Sequence, residues 1–562
     1  MSAERRALAA LIAGGLAVRL VLLLLRGDYL VYDEAYYLLL ARALREGRGF
    51  ELNGLAHVAL SPLQPVAVAA LSLLGLPDLL ASRLLGAASG ALLPLPVAAL
   101  GSRLAGPRGG VLAAALVAFA PALMSFTPFF PGVSWNLYFG SEPLFLLIAF
   151  GATAAAVRAA AAGPPQWWCL VGVLCGLAFL ARAEGLVFAP LVMAVAAARV
   201  SRAGARAWKG WLLAAAVGVA VAAPYLWYLR SSLGRWALSG RVQMRGAAQP
   251  AVPTSSQRGG AVLEQFVWGG NEDAFRAELY RLTPDGRRMQ SQYWGVAPPE
   301  SSRAAPHPPA PAPAGAAPPT LPPGTRRASL WLGLAATMPW WLIGLGAAGL
   351  AVSRRQGWAL AWLAPAVVTA ALPAALVYVE PRSLLVLVPV AAIGAGALWA
   401  AALQAAAGSR ARPWLAAAAV VLVVLAAWPA IRDGWMSRRR DTPLQQLAAA
   451  QRAVGVHLGR RLPPGAVVMS WHPAVAVWAH RDWRVLPWEP LDRIIGYARG
   501  EGVAAVVLSR FNPSPLTNPP RSFTAILLDG GADPGPGRSL RLDRVEETPL
   551  LFVGRIATEP PR

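Results

Sequence analysis

Apolar segments long enough to cross a bilayer recur along this chain as far as about residue 431. A helix of about 20 predominantly apolar residues spans the hydrocarbon core, where only helices and closed barrels can satisfy their own backbone. Because 56% of the residues are hydrophobic and only 14% are charged, the sequence predicts a mainly α fold. We expect a polytopic membrane bundle of helices.

The net charge of +23 lies mostly in short basic clusters between the apolar segments. Lys and Arg concentrate in the cytoplasmic loops of membrane proteins, so this pattern is explained by a lipid bilayer and predicts no nucleic-acid partner. Arg5 and Arg6 precede the first apolar segment. We therefore expect a cytoplasmic N-terminus in a multi-pass protein of a bacterial inner (plasma) membrane.

The number of spans follows from keeping every short basic loop on one side of the membrane. Residues 61–76 are apolar but are broken by proline and glycine. If they form a surface or re-entrant helix and not a full span, every short basic loop falls on the same side of the membrane. Residues 34–47 have an amphipathic pattern typical of a helix lying along the interface. Eleven spans remain, with an outer C-terminus: about 7–25, 81–101, 110–126, 142–160, 168–182, 185–199, 210–229, 330–351, 358–378, 384–404 and 413–431.

Composition divides the chain into two predicted domains. Residues 1–431 form the membrane domain, whose two large outer loops cover 26–80 and 230–329. The second loop contains a proline-rich linker, 297–324, that cannot build a regular ladder of hydrogen bonds and should be extended. Residues 432–562 alternate short strand and helix patterns, which predicts a small soluble α/β domain on the periplasmic or extracellular side.

Ionisable side chains collect in the outer segments, next to the ends of predicted spans. Charge so close to a membrane is costly unless it is solvated or used. A single carboxylate of this kind is most simply an interfacial residue in water, whereas a set that converges on one face indicates a function. The set is Asp28, Asp33, Glu34, Glu142, Arg182, Glu184, Glu380 and Arg382.

These residue types suit the transfer of a sugar from a polyprenyl-phosphate donor, the form in which an activated sugar reaches the outer face. One carboxylate, Asp33 or Glu34, would accept the proton of the attacking hydroxyl as general base. Arg382 and Arg182 would hold the departing phosphate by charge-assisted hydrogen bonds, and His57 is a further candidate contact. Aromatic rings that would support the sugar are Tyr32, Tyr36, Tyr37, Trp135 and Tyr138.

Six short motifs, in their order along residues 7–400, resemble those of the GT-C superfamily of membrane glycosyltransferases. That superfamily includes the protein O-mannosyltransferases and the aminoarabinose transferases that modify lipid A. The order and the shared side of the motifs make the set more specific than any one of them. The motifs lie at Tyr32–Arg42, Ser61–Leu63, Ser82–Gly86, Ser141–Leu144, Gly176–Gly185 and Glu380–Leu385.

The resemblance implies roles for individual positions. Asp33, the first acid of its motif, becomes the leading general base, and its neighbour Glu34 serves the acceptor or the structure. Glu142 falls at a second acidic position that contacts the acceptor or supports the site. Arg182 and Glu184 fall in a turn of the family, and Arg382 becomes a phosphate contact. The superfamily has metal-dependent and metal-independent members, so a divalent cation is possible, but no ligand spacing requires one.

The chain departs from the superfamily pattern at Ser383, where an aromatic residue is common, and at Ala183, where proline is common. The sugar, hexose or pentose, and the acceptor, a protein, lipid or polysaccharide, therefore stay open. A transporter or flippase of lipid-linked substrates is the main alternative, and a membrane-anchored scaffold is another. Transporters usually place polar residues at broken helices in mid-membrane, whereas the acids here lie at span ends.

Overall fold

The structure of this chain is a computed structural model, and it describes the residues in the following ranges. The described residues are 2–25, 30, 32–124, 127–130, 133–135, 141–161, 164–201, 205–240, 282–289, 296, 334, 337–376, 381–439, 443–487, 489, 491–509, 540–544 and 551–556. The predicted proline-rich linker, 297–324, lies outside these ranges.

Helices make up the membrane part, as the apolar pattern predicts. In chain order they are α1 (Ala3–Leu25), α2 (Tyr32–Arg45), α3 (Leu63–Leu73), α4 (Asp78–Leu92), α5 (Pro94–Ala118), α6 (Pro121–Met124), α7 (Glu142–Ala160), α8 (Pro165–Ala181), α9 (Gly185–Val200), α10 (Ala205–Leu233), α11 (Trp340–Val352), α12 (Gly357–Ala361), α13 (Ala364–Leu376), α14 (Pro381–Leu384), α15 (Leu387–Ala405) and α16 (Arg412–Arg439). Short strand pairs join them: β1 (Glu51–Leu52) with β2 (Leu55–Ala56), and β3 (Thr127–Phe130) with β4 (Val133–Trp135).

The predicted helical membrane bundle is confirmed, whereas the count of eleven spans stays a prediction. Among the described residues, six helices are long and apolar enough to cross a membrane. Several further predicted spans correspond to shorter apolar helices. Helix α3 has 11 residues and rises only about 16 Å, about half the thickness of a hydrocarbon core. That length agrees with a surface or re-entrant helix over 61–76.

The second and third predicted spans form a tight helical hairpin. The chain leaves helical geometry at Gly106, whose φ of 73° favours glycine. The two arms then pack so closely that a Cβ on Gly110 would lie 2.5 Å from the Ala98 carbonyl oxygen. Small residues allow such close packing of membrane helices. The turn places Arg103 and Arg108 at one end of this hairpin.

The C-terminal residues form a layered α/β structure. Helices α17 (Pro443–Arg461), α18 (Ala474–Ala479) and α19 (Leu491–Gly500) accompany the strands β5 (Val467–Ser470), β6 (Asp482–Val485), β7 (Val503–Ser509), β8 (Leu540–Arg544) and β9 (Leu551–Ile556). The sheet order is β6-β5-β7-β9-β8. Strands β6, β5 and β7 are parallel, while β9 pairs antiparallel with both β7 and β8. Helix α16 continues past the predicted domain boundary at 431.

Helix α2 lies between the membrane bundle and the C-terminal sheet, in one hydrophobic core with both. Its residues from Ala35 to Ala43 are buried, Arg42 among them, whereas Arg45 and Glu46 at its end are exposed. Arg42 donates hydrogen bonds to the carbonyl oxygens of Val477, at 3.2 Å, and Arg481, at 3.4 Å. The C-terminal domain therefore covers the part of the helix surface that carries Arg42.

Candidate active site

Four helix ends meet at one end of the bundle and bring the predicted acids and arginines together. Helix α2 contributes its first turn, α7 its N-terminus, α14 its single turn, and the α8–α9 connection its turn. That connection is tight because a Cβ on Gly185 would lie 2.1 Å from the Ala178 carbonyl oxygen. Only glycine fits there, and the turn holds Arg182 and Glu184 next to α7.

Arg182 is the buried centre of the cluster. Its Nη1 donates to Glu142 Oε1 at 2.5 Å and to Ser141 Oγ at 3.2 Å. Its Nε and Nη2 donate to the two carboxylate oxygens of Glu184 at 3.1 Å and 2.7 Å. This two-pronged geometry is the strongest form of arginine–carboxylate pairing. Arg182 is therefore fully engaged by two acids and a hydroxyl, within the site wall.

Arg382 links the cluster to the first turn of α2. Its Nη1 donates a hydrogen bond to Asp33 Oδ2, and it lies 3.7 Å from Glu142 Oε1. The side chains of Arg382 and Asp33 are 27% and 19% exposed, against 8% and 6% for Arg182 and Glu142. The exposed pair thus forms the accessible mouth of the cluster, and the buried pair forms its base.

Tyr37 closes the cluster on the α2 side. Its hydroxyl lies 3.1 Å from Ser141 Oγ, so the hydroxyl of Ser141 contacts both Tyr37 and Arg182. Burial, with a contribution from the charge on Asp33, raises the pKa of Tyr37 to about 12. The phenol therefore stays protonated at neutral pH and serves as a hydrogen-bonding wall of the site.

The cavity at this cluster is small. A space of about 10 Å³ is lined by polar residues, among them Glu142, Glu184, Thr369 and Arg382, and by apolar residues such as Phe145. Such a volume admits roughly one water molecule. The arginine–carboxylate pairs fill the site, so a ligand must separate at least one pair to enter.

Glu34 and His57, two other predicted site residues, hold the surrounding structure. Glu34 is buried, with Oε1 lying 3.5 Å from Arg83 Nε. The imidazole Nε2 of His57 accepts a hydrogen bond from the Leu60 backbone N–H at 3.0 Å. The Tyr228 hydroxyl donates to the His57 carbonyl oxygen at 2.9 Å. These contacts fix the segment between α2 and α3 against the bundle.

Tyr36 lies on a different face of α2 from the cluster. Its ring packs against Trp483 of the C-terminal sheet, with 5.6 Å between ring centroids. Its buried position suits the docking of that domain more than contact with a sugar. The side chains of Tyr32 and Trp135, and all of Asp28, Tyr138 and Glu380, lie outside the described residues.

The sequence reasoning did not assign site roles to Ser141, Arg83 and Thr369. Ser141 and Arg83 stand inside motifs that resemble the superfamily, and each is polar at the outer end of an apolar segment. That combination is a usable signal, because a polar residue inside one of the ordered motifs adds to the set of ionisable residues at span ends. Thr369 lies within the apolar helix α13, and a lone hydroxyl there gives no comparable signal.

The described side chains do not form a natural cation site. Among them, no three His, Cys, Asp or Glu residues are grouped to hold a metal ion. The three acids of the cluster, Asp33, Glu142 and Glu184, are each engaged by an arginine. A divalent cation prefers several free oxygen ligands and would here be opposed by two guanidinium charges, so no step is assigned to a metal.

Comparisons with known proteins bear on the family and on the fold of this chain. Residues 61–228 match the family model described as dolichyl-phosphate-mannose-protein mannosyltransferase. None of the curated proteins compared with the chain matches it.

Solved structures share the fold over nearly the whole chain. ArnT from Cupriavidus metallidurans in the apo state has a TM-score of 0.54 at 14% identity, covering 98% of each chain. ArnT bound to undecaprenyl phosphate gives the same score and identity over 99% of each chain. The Archaeoglobus fulgidus oligosaccharyltransferase with Zn and sulfate has a TM-score of 0.51 at 14% identity, over 89% of this chain and 68% of that one. The predicted GT-C-like helical bundle and the resemblance to the GT-C superfamily are confirmed.

Proposed function

We propose that this membrane protein of GT-C fold transfers a sugar from a polyprenyl-phosphate donor to a hydroxyl acceptor on the outer face of the membrane. The contact that carries the proposal is the hydrogen bond between Arg382 and Asp33, residues 349 positions apart in the chain. This contact supports the proposal because a candidate phosphate ligand and a candidate base then lie side by side at the accessible mouth of the cluster. The mannosyltransferase family model supports the same reaction class.

The reaction exchanges one bond for another at the anomeric carbon. The acceptor oxygen attacks that carbon, the bond from carbon to phosphate oxygen breaks, and polyprenyl phosphate leaves with the bonding electrons. Asp33 takes the proton of the acceptor hydroxyl as general base. Arg382 stabilises the negative charge that grows on the departing phosphate, where a pre-placed guanidinium contributes most.

The ion pair between Arg382 and Asp33 implies that Arg382 changes its partner when the donor binds. Arg382 is engaged by Asp33, so a donor phosphate competes with the Asp33 carboxylate for the same guanidinium. When the phosphate takes Arg382, the carboxylate of Asp33 is released to accept a proton from the acceptor. The base then becomes available only when the donor is in place, which would limit reaction with water.

The two arginines have different proposed roles. Arg382 is the phosphate ligand because it is the more exposed and makes a contact that a ligand can replace. Arg182 is a positioning residue, because its guanidinium is buried and holds Glu142 and Glu184 at once. Glu142, lying 3.7 Å from Arg382, in turn orients that guanidinium towards the mouth. Glu34, buried beside Arg83, supports α2 and takes no part in proton transfer.

The proposed setting is the outer face of a bacterial inner membrane. The basic loops favour an N-terminus in the cytoplasm and a C-terminal domain outside. The structure of ArnT with undecaprenyl phosphate supports a polyprenyl-phosphate carrier by analogy of fold. The acceptor is a protein, lipid or polysaccharide hydroxyl that reaches this face, and the C-terminal domain beside α2 is the surface that would present it.

A transfer assay with defined donors tests the proposal. The purified protein is incubated with a panel of polyprenyl-phosphate sugars, each labelled in the sugar, together with a membrane extract as acceptor source. We expect the label of one donor to leave the lipid and enter an acceptor fraction. Label that stays on the lipid for every donor, while the intact lipid crosses reconstituted vesicles, would instead indicate a flippase.

A further inference from the structure

A second cavity lies between helices of the bundle, away from the acid–arginine cluster. It has a volume of about 170 Å³, against about 10 Å³ at the cluster. Its lining combines Arg103 and Arg199 with Trp358, Trp362, Ala160 and Ile393. Since one water molecule needs roughly 10–15 Å³, this space admits a group the size of a phosphate. None of these six residues takes part in the proposed sugar transfer.

The second cavity lies at the opposite end of the bundle from the cluster. Helix α7 begins at Glu142 in the cluster and ends at Ala160 on the cavity wall, and its 19 residues rise about 28 Å. Helix α9 begins at Gly185, beside Glu184, and reaches the cavity near its end, at Arg199. A separation of nearly one hydrocarbon thickness puts the two sites at opposite membrane surfaces.

The lining of the second cavity has the chemistry of an anion site beside lipid. Arg103 and Arg199 are exposed cations at the rim, with no Asp or Glu among the lining residues. The guanidinium carbon of Arg199 lies 5.6 Å from the ring centroid of Trp358, a cation–π distance that orients it. The rest of the wall is apolar and suits the acyl or glycerol part of a lipid.

We propose that the second cavity binds the phosphate group of an anionic membrane lipid at the cytoplasmic surface. Arg103 and Arg199 would share the phosphate charge, Trp358 would hold Arg199 in place, and the apolar wall would contact the adjoining chain. Basic cavities between membrane helices on the cytoplasmic side are suited to anionic lipid headgroups. A bound lipid would join α5, α7, α9, α12 and α15, the helices that line the cavity.

Native mass spectrometry of the purified full-length protein tests this site. The protein in detergent is titrated with phosphatidylglycerol, phosphatidylcholine or inorganic phosphate, and the bound adducts are counted. We expect phosphatidylglycerol to bind in preference to phosphatidylcholine. The double variant Arg103→Ala/Arg199→Ala should bind it roughly 30-fold more weakly, because neither position then carries a guanidinium that attracts the anionic headgroup.

Two further variants separate the cavity from general surface charge. Arg410→Ala/Arg412→Ala removes two exposed arginines from another loop and should leave phosphatidylglycerol binding unchanged. Ala160→Phe fills the cavity while keeping both arginines and should reduce binding as much as the arginine double variant. Each variant is first shown to retain the gel-filtration profile and melting temperature of the native protein.

The outcomes are distinguishable. If inorganic phosphate at the same concentration displaces phosphatidylglycerol, the site binds phosphate without selecting a lipid, and the assignment to a membrane lipid is overturned. If Arg103→Ala/Arg199→Ala or Ala160→Phe binds phosphatidylglycerol as tightly as the native protein, the proposal is overturned. Because the sugar-transfer assay reports on the opposite membrane surface, failure of this site would leave that result unaffected.

Discussion

At the scale of single residues, the site is a row of alternating positive and negative side chains. How deeply each side chain is buried indicates whether it shapes the site or can contact a substrate. Arg182, between Glu142 and Glu184, is nearly sealed from solvent, while Arg382 and Asp33 stand at the mouth. A buried ion pair contributes little net stability, but removing one partner leaves an uncompensated charge. The buried members therefore maintain the shape of the site, and the more exposed pair is the one that we propose exchanges partners with a substrate.

Replacing Arg182 tests the positioning role. Arg182→Ala leaves the carboxylate of Glu142 buried beside that of Glu184, which is only 14% exposed, so we expect the folded state to lose about 3–5 kcal/mol. The control is Arg354→Ala, at an exposed turn residue, for which the change should stay within about 0.5 kcal/mol. Thermal unfolding of the purified proteins in one detergent measures both. Equal melting temperatures for Arg182→Ala and the native protein would contradict this role.

At the scale of elements, helix α2 connects the site to the C-terminal domain. One face brings Asp33 and Tyr37 to the cluster, and another brings Tyr36 and Arg42 to the C-terminal strands and helices. Asn53, in the hairpin after α2, also accepts a hydrogen bond from the Val485 backbone N–H at 2.9 Å. The domain therefore holds the helix that carries the proposed base.

Arg42 gives a test of that connection. Arg42→Ala removes the two hydrogen bonds to the carbonyl oxygens of Val477 and Arg481, each worth about 1.5–3 kcal/mol for a charged donor. We expect faster amide hydrogen exchange in α2 and a lower turnover number. Arg45→Ala, which removes a more exposed arginine one turn away that pairs with Asp78, is the matched control. Unchanged exchange in Arg42→Ala would show that the domain does not hold α2.

Glycine residues allow two helices of the bundle to pack closely. Helices α11 and α15 approach so closely that a Cβ on Gly349 would lie 1.7 Å from the Gly394 carbonyl oxygen, whereas one on Gly344 would meet nothing within 4 Å. Gly349→Ala must force the helices apart and should cost about 1–3 kcal/mol, as overpacking does. Gly344→Ala should be neutral or slightly stabilising. Melting temperatures compare the pair, and equal values would contradict the packing.

At the scale of the whole molecule, the sequence predicted the membrane architecture better than the tertiary contacts. Apolar length predicted helix α7 over 142–160 with its bounds, because the bilayer sets a length that composition reveals. It also predicted the short helix over 61–76. The burial of Arg42 could not be predicted, because an amphipathic pattern shows two faces and does not say that a distant domain covers the polar one.

The sequence predicted which residues belong to the candidate site, but it did not predict how they pair with one another. Position at span ends marked Asp33, Glu142, Arg182 and Arg382, since charge near lipid is costly. Which carboxylate pairs with which arginine depends on how the helix ends meet, and no spacing in the sequence encodes it. For the same reason the sequence could not show that Tyr36 packs against the C-terminal domain while its neighbour Tyr37 belongs to the site.

The orientation of the chain is testable as a whole. Alkaline phosphatase, active only outside the cytoplasm, should be active when fused after residue 562 and inactive when fused after Gly408, which precedes the basic residues Arg410 and Arg412. A fluorescent protein that matures only in the cytoplasm should give the opposite pattern at both points. Phosphatase activity at Gly408 would place the basic loops outside and overturn the proposed topology.

The most direct test of the central claim compares donor binding and transfer in Asp33→Asn and Arg382→Ala. With the labelled donor identified by the panel assay, Asp33→Asn should bind it at least as tightly as the native protein, because Arg382 is released from its carboxylate. Its transfer rate should fall by about 10²–10⁴, the share of a general base. Arg382→Ala should bind the donor roughly 10–100-fold more weakly, the value of a charged hydrogen bond. Transfer at the native rate by Asp33→Asn would contradict the account.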